Sequence, residues 1–342
     1  MHEHWMRQAI LIGYTGYTAP NPMVGCVVVC DGKIIGEGYH KKFGEAHAEV
    51  NAINAVDDKT LLAKSTLYVN LEPCSHFGKT PPCADLIIQH KIPQVVIGCI
   101  DTNEKVRGKG IEKLQNAGIR VESGILEKEC KELNKRFFCF QEKHRPYIIL
   151  KWAQSDDGFI GKRNTQEPIK ISNDYSHTLT HKWRSEEAAI MVGTNTALLD
   201  NPHLNIRYWK GKNPLRVLID SKLKVKPSAN IFSPEQNTLI YNSIKKATEQ
   251  NKKYVKLDFN KNVVEQVVKN LYEQSILSVL IEGGAILLKS FIKNNLWDEA
   301  RIFTSPNKLT DGINAPVLNQ VDYTSENISG DELKIVINNR SK

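Results

Sequence analysis

The chain has 342 residues, 41% of them hydrophobic and 25% charged, and a formal net charge of +8. That length exceeds a single ordinary core and predicts two domains, and the composition excludes a disordered or fibrous chain. No apolar run reaches the roughly 18 residues of a membrane span, and acidic and aromatic residues interrupt positions 1–17, so the start does not read as a signal peptide.

Residues 1–144 hold 18 Lys and Arg against 17 Asp and Glu, a net +1, and the remainder holds 28 against 21, a net +7. A basic second half suits polyanionic partners, phosphorylated small molecules as well as nucleic acid, or a solvated basic surface. The near-neutral first half speaks against a nucleic-acid-binding first domain, which needs many Lys and Arg contacts to phosphate. Seven cysteines, an odd number scattered along the chain, fit a reducing cytoplasmic setting in which cysteines more readily ligate metal than pair.

In chain order, strands are expected at 24–29 and 33–38, joined by Asp31-Gly32, whose residues tolerate the positive φ angles of a two-residue hairpin. A helix is expected at 47–56, where Ala48, Ala52 and Ala55 line one face with Val50 and Ile53. Short strands follow at 66–71 and 95–100, and helices near 110–117 and 126–142. A boundary is placed at His144-Arg145-Pro146, where a polar helix ends and a new strand starts at 147–152. Beyond it, strands are expected at 188–192, 215–219, 238–241, 279–281 and 299–304, and helices at 175–187, 262–274 and 285–294. Alternation of this kind predicts layered α/β domains with sites at strand ends.

His47-Ala48-Glu49 opens a helix, Pro73-Cys74 follows a strand, and Cys83 opens another helix. One imidazole and two thiolates leave a tetrahedral Zn²⁺ one open position, as a catalytic rather than structural zinc requires. There a coordinated water becomes acidic enough to attack near neutral pH. Glu49, two residues from His47, reaches the same space without coordinating and can pass protons from water to departing ammonia. A structural zinc would need a fourth ligand, for which Cys26, Cys30, His40 and His76 are candidates. Cys26 and Cys30 fit a buried strand better. In the second half Glu282-Gly283-Gly284 precedes a helix, and bare glycine amides there can approach a phosphate or form a simple tight turn.

Three stretches resemble the bifunctional riboflavin-biosynthesis deaminase–reductases, the RibD or RibG family: residues 21–26 (Asn-Pro-Met-Val-Gly-Cys), 44–50 (Gly-Glu-Ala-His-Ala-Glu-Val) and 71–83 (Leu-Glu-Pro-Cys-Ser-His-Phe-Gly-Lys-Thr-Pro-Pro-Cys). The resemblance implies a cytidine-deaminase-like three-layer α/β/α domain over 1–144. It implies His47, Cys74 and Cys83 as metal ligands and Glu49 as the catalytic acid–base. The substrate implied is 2,5-diamino-6-ribosylamino-4(3H)-pyrimidinone 5′-phosphate, bound through Asn21, His76, Lys79, Thr80, Asp101 and Asn103. Thr102 and Glu104 stand where prolines are usual in the family. Further matches at 151–158, 193–207, Asp220-Ser221 and 282–284 imply a dihydrofolate-reductase-like α/β domain over 145–342 that reduces the ribosyl group to ribityl with NADPH. Ala153, Lys170, Thr196, Asp200, Ser221 and Gly284 fall on its cofactor positions. Lys151, Arg184, Leu204, Arg207 and Glu282 fall on its substrate positions, with Arg184 and Arg207 expected to clamp phosphate and Lys151 with Glu282 to orient sugar hydroxyls. Lys170 replaces a common tryptophan and His177 a common arginine. The expected partners are Zn²⁺, NADPH, a small phosphorylated pyrimidine and a second copy of the chain in a homo-oligomer, with neither nucleic acid nor membrane. The alternatives are a nucleic-acid or nucleoside base deaminase with a non-catalytic C-terminal domain, and a zinc-stabilised binding protein.

Overall fold

The computed structural model describes residues 1–16, 18–75, 81–102, 107–163, 169–319 and 322–340. The chain forms two compact units, Met1–His144 and Arg145–Lys342.

The first unit runs α1 (His2–Gly13), β1 (Gly25–Cys30), β2 (Lys33–Tyr39), α2 (Ala48–Asn54), a 3₁₀ turn (Lys59–Lys64), β3 (Thr66–Leu71), α3 (Cys83–Gln89), β4 (Gln94–Cys99), α4 (Lys109–Asn116), β5 (Arg120–Ser123), α5 (Glu127–Leu133) and α6 (Lys135–Lys143). Its five strands are ordered β2-β1-β3-β4-β5. β1 pairs antiparallel with β2 and β3, and β3, β4 and β5 run parallel. Asp31 and Gly32 take φ +48° and +71°, the conformation expected of the hairpin turn. Cys26, Val28, Leu67, Val69, Val95 and Ile97 point to one face of the sheet and pack with Ala52 of α2, Ile87 of α3 and Leu114 of α4. The other face lies against α1 and α5, and the close approach needs glycine. A Cβ on Gly25 would sit 2.0 Å from the Ala9 carbonyl oxygen, and one on Gly98 2.2 Å from Cys130 Sγ.

Two expectations change here. The single helix expected at 126–142 is two helices, α5 and α6, broken at Asn134. The buried Asn134 amide exchanges hydrogen bonds with the Met23 backbone, at 2.8 and 2.9 Å, and so leaves its own helix axis. Helix α1, with Met6, Ala9, Ile10 and Gly13 on its buried side, is an amphipathic element that the reading of the first residues did not include.

The second unit runs β6 (Tyr147–Ser155), α7 (Asp174–Glu186), β7 (Ala189–Gly193), α8 (Thr194–Asp200), β8 (Leu215–Ile219), β9 (Thr238–Asn242), β10 (Ala247–Glu249), β11 (Lys252–Lys256), α9 (Val263–Glu273), β12 (Ser278–Ile281), α10 (Ala285–Lys293), β13 (Glu299–Ser305), β14 (Tyr323–Ile328) and β15 (Asp331–Ile337). They build one ten-stranded sheet, β10-β11-β9-β8-β7-β12-β6-β13-β15-β14. The seven strands from β11 to β13 are parallel, and hairpin partners close both edges antiparallel. Leu150, Met191, Val217 and Ile281 pack against Val267 and Leu271 of α9 and Phe291 of α10. Ile190, Val192, Leu218 and Ile240 pack on the opposite face with Ala197 of α8 and Leu204. Near-continuous apolar strands of this kind are what a parallel sheet covered on both faces requires.

Candidate active sites

The C-terminal end of β3 and the N-termini of α2 and α3 meet at one point. His47 is the extended residue that caps α2, Cys83 is the first residue of α3, and Cys74 lies in the turn after β3. Cys74 thus sits in a turn and not at a helix start. Its Sγ accepts the Cys83 backbone N–H at 3.3 Å, and its carbonyl accepts from Ala84 at 3.1 Å. The ligand atoms of His47, Cys74 and Cys83 lie within 4.8 Å of one another. His47 Nδ1 is 3.3 Å from Cys83 Sγ and 3.6 Å from Cys74 Sγ. Bond lengths of about 2.0–2.1 Å to nitrogen and about 2.3 Å to sulfur give a tetrahedral N–S edge near 3.6 Å, close to both N–S separations here.

Glu49, only 3% exposed, sits beside these ligands on α2. Burial first, then the negative charge of Cys74, pushes its carboxyl up to about 7. Hydrogen bonding with Cys83 holds the Cys74 thiol down, against the cost of burial, to about 4, while Cys83 is pushed up. Of the fourth-ligand candidates, three are described, His40, Cys26 and Cys30, and none of them joins the triad. His40 Nδ1 bonds the Ala46 carbonyl at 3.0 Å and its Nε2 meets Asn21 Nδ2 at 3.1 Å. Cys26 and Cys30 lie in β1. Among the described residues the metal group is the triad alone. Asn21 therefore reaches the triad's edge through His40, whose ring stands 5.4 Å from that of His47. Asp101 is buried just past β4. His76, Lys79, Thr80 and Asn103 lie outside the described residues.

In the second unit a cavity of about 890 Å³ opens along the C-terminal ends of β6, β7, β8 and β12. All six expected cofactor positions, Ala153, Lys170, Thr196, Asp200, Ser221 and Gly284, line it, as do Lys151, Arg184 and Glu282. Gly283 takes φ +127°, which disfavours any side chain, and a Cβ on Gly284 would stand 3.0 Å from Thr196 Oγ1. The volume and this bare glycine cradle fit a dinucleotide.

The charged groups are arranged differently from the expected phosphate clamp. Arg184 donates from Nε and from a terminal nitrogen to the two Glu282 oxygens, each at 2.7 Å, and from its other nitrogen to the Asn205 carbonyl at 3.1 Å. Three of its five N–H groups are thus used inside the protein, so it is not a free bidentate grip. Arg207 is exposed, bonded to Asn205, and with Leu204, which is buried in the core, lies outside the cavity lining. Burial would raise the Glu282 carboxyl, but Arg184 and Lys151 outweigh it and hold it down at about 2. Burial lowers the Lys151 ammonium, which lies 5.8 Å from the Phe303 ring centre. His177, on the cavity wall, packs with His181 and Tyr208, and His181 Nδ1 accepts the Arg207 backbone N–H at 3.0 Å. Lys170 pairs with Asp174 in solvent.

Residues that the motifs did not single out complete the first site. Asn70 Oδ1 accepts from Gly25 at 2.8 Å and its Nδ2 donates to Met23 at 3.1 Å, and Glu72 accepts several backbone amides. A polar residue at the end of an otherwise apolar strand, as in Leu-Tyr-Val-Asn-Leu-Glu, was the available signal, because buried polar groups require partners.

Residues 1–99 match the model of the cytidine and deoxycytidylate deaminase zinc-binding region, and residues 146–320 match that of the RibD C-terminal domain. The chain is 42% identical over 303 residues to riboflavin biosynthesis protein RibD of Aquifex aeolicus, covering 87% of this chain and 84% of that protein. It is 39% identical to RibD of Bacillus amyloliquefaciens, over 90% of this chain and 85% of that one. A Thermotoga maritima crystal structure described as a diaminohydroxyphosphoribosylaminopyrimidine deaminase/5-amino-6-(5-phosphoribosylamino)uracil reductase superposes with TM-score 0.89 at 35% identity, over 98% of this chain and 97% of that one. RibD of Acinetobacter baumannii gives 0.86 at 31%, over 98% of each chain.

Proposed function

The chain belongs to the RibD family of riboflavin-biosynthesis deaminase–reductases, and we propose that its two units divide the reactions, deamination in 1–144 and reduction in 145–342. The protein is a bifunctional enzyme of riboflavin biosynthesis, zinc-dependent in its deaminase and NADPH-dependent in its reductase activity, and acts on a small pyrimidine.

When bound by His47, Cys74 and Cys83, zinc supplies Lewis-acid activation of water for attack on the amine-bearing ring carbon. Glu49 takes the proton of that water on a carboxylate oxygen and returns it to the amine, so that ammonia leaves and a ring carbonyl forms. Burial raises this carboxyl above the ordinary range, as suits a group that must both take and return a proton. That buried carboxyl beside the triad is the observation on which the reading rests. Asn21 and Asp101 hold the pyrimidine, and the cationic segment of His76, Lys79 and Thr80 grips its ribose phosphate.

In the second unit NADPH supplies the hydride that converts the ribosyl to the ribityl chain. Ala153, Thr196, Asp200, Ser221 and Gly284 hold the cofactor, with Lys170 at the rim. Lys151 and Glu282 orient the sugar, and Arg184 keeps Glu282 ionised. Phosphate contact falls to Arg207 outside the cavity, next to Leu204. A reducing cytoplasmic setting and a homo-oligomer are part of the proposal. No helix among the described residues is long and apolar enough to cross a membrane.

The test is one coupled assay with the diaminopyrimidine ribosyl phosphate and NADPH. Ammonia release and NADPH oxidation in equal amounts support the reading; ammonia without oxidation would restrict it to the first unit.

A further inference from the structure

A buried carboxylate just beyond β3 has no part in the chemistry above. Glu72 is 4% exposed and, among the described residues, accepts four backbone amides. One oxygen takes the N–H of Asp101 at 3.3 Å and of Gly108 at 3.0 Å, and the other takes Gly110 at 2.9 Å and Ile111 at 3.4 Å. Gly108 caps α4, and Gly110 and Ile111 lie in its first turn, so Glu72 satisfies amides that the helix leaves without partners. The same carboxylate ties that turn to residue 101. The backbone spacing agrees independently: a Cβ on Gly110 would stand 2.0 Å from the carbonyl oxygen of Pro73, the residue between Glu72 and Cys74. The clamp is therefore built on the turn that delivers a zinc ligand.

We propose that Glu72 is a positioning residue for deamination, its carboxylate fixing Asp101 against the zinc turn and thereby setting affinity for the pyrimidine. The proposal rests on the reading of Asp101 as a substrate contact. A carboxylate presents two oxygens, both acceptors, to four donors. The isosteric amide of glutamine would turn an NH₂ group toward two of those N–H groups, so shape is kept and half the clamp is lost.

Deamination kinetics of Glu72→Gln, read with zinc content and NADPH oxidation by the same protein, test this. Loss of charge-assisted bonds predicts KM raised about tenfold or more, with kcat changed less than about twofold, zinc retained and reduction intact. In Glu72→Gln/Asp101→Asn the KM rises no further than in the worse single variant, because both act through one contact. Gly108→Ala strains only the φ +74° turn that presents one N–H, and predicts a smaller rise in KM. Zinc loss, an unchanged KM, or multiplying effects in the double variant would overturn the proposal. If Glu72→Gln fails to fold, Gly108→Ala decides by the same KM reading. Failure of the reading beneath it shows separately, as an Asp101→Asn single variant whose KM equals that of the wild type.

Discussion

At the zinc turn two thiols, an imidazole and a buried carboxyl crowd together and shift one another's protons. In the reductase cavity the strongest charges, Arg184 and Glu282, are already joined by two bonds of 2.7 Å. The first site is completed by a cation; the second is internally neutralised and offers a glycine-lined surface to a large cofactor. Chemistry that resides in protein side chains therefore concentrates in four residues at the first site, whereas chemistry that resides in a cofactor spreads over a cavity wall in the second.

The largest effect is expected from removing one member of the triad. Cys83→Ser should abolish zinc binding, read by metal analysis, and with it ammonia release, while NADPH oxidation with the deaminated intermediate continues. Loss of both activities would break the comparison by making the second site depend on the first. Next in size, Glu282→Gln leaves the Arg184 charge buried without its partner. Breaking a buried pair costs about 3 kcal/mol, so a lowered unfolding midpoint of the second unit is expected, together with a weakened reductase and an unchanged deaminase. The smallest effect is in pH. Glu282 is lowered from 4.5 to about 2, so its contribution to stability is full above the ordinary carboxylate range and is lost as pH falls through about 2. Acid unfolding of the wild type should lose stability in that window more steeply than Glu282→Gln. Parallel curves would assign no stability to the pair.

The candidate zinc triad was legible in the sequence because His, Cys and Glu carry their chemistry with them, and the structure brings His47, Cys74 and Cys83 together beside Glu49 at two helix starts and a turn. Most of the parallel strands were legible for a similar reason, as runs such as 189–193 are apolar throughout, whereas β5 and β11, rich in polar and charged residues, were missed. The pairing of Arg184 with Glu282, 98 residues apart, was not, since local pattern carries no information about a partner across the sheet. Helix α1 and the hairpin of β14 and β15 were also passed over. The Ser329-Gly330 turn marks that hairpin, but β14 is largely exposed and has no apolar alternation to announce it. Glu72 could be marked as a polar residue ending an apolar strand, but its partners could not, because they are amides of another segment and backbone donors leave no trace in residue type.

The account's central claim is that the two chemistries sit in separate sites on one chain, and Glu49→Gln tests it most directly. Supplied with the diaminopyrimidine, the variant should keep its zinc and release ammonia about 10²- to 10⁴-fold more slowly. Supplied with the deaminated intermediate, it should oxidise NADPH at the wild-type rate. Ammonia release at a normal rate, or loss of NADPH oxidation, would contradict the account.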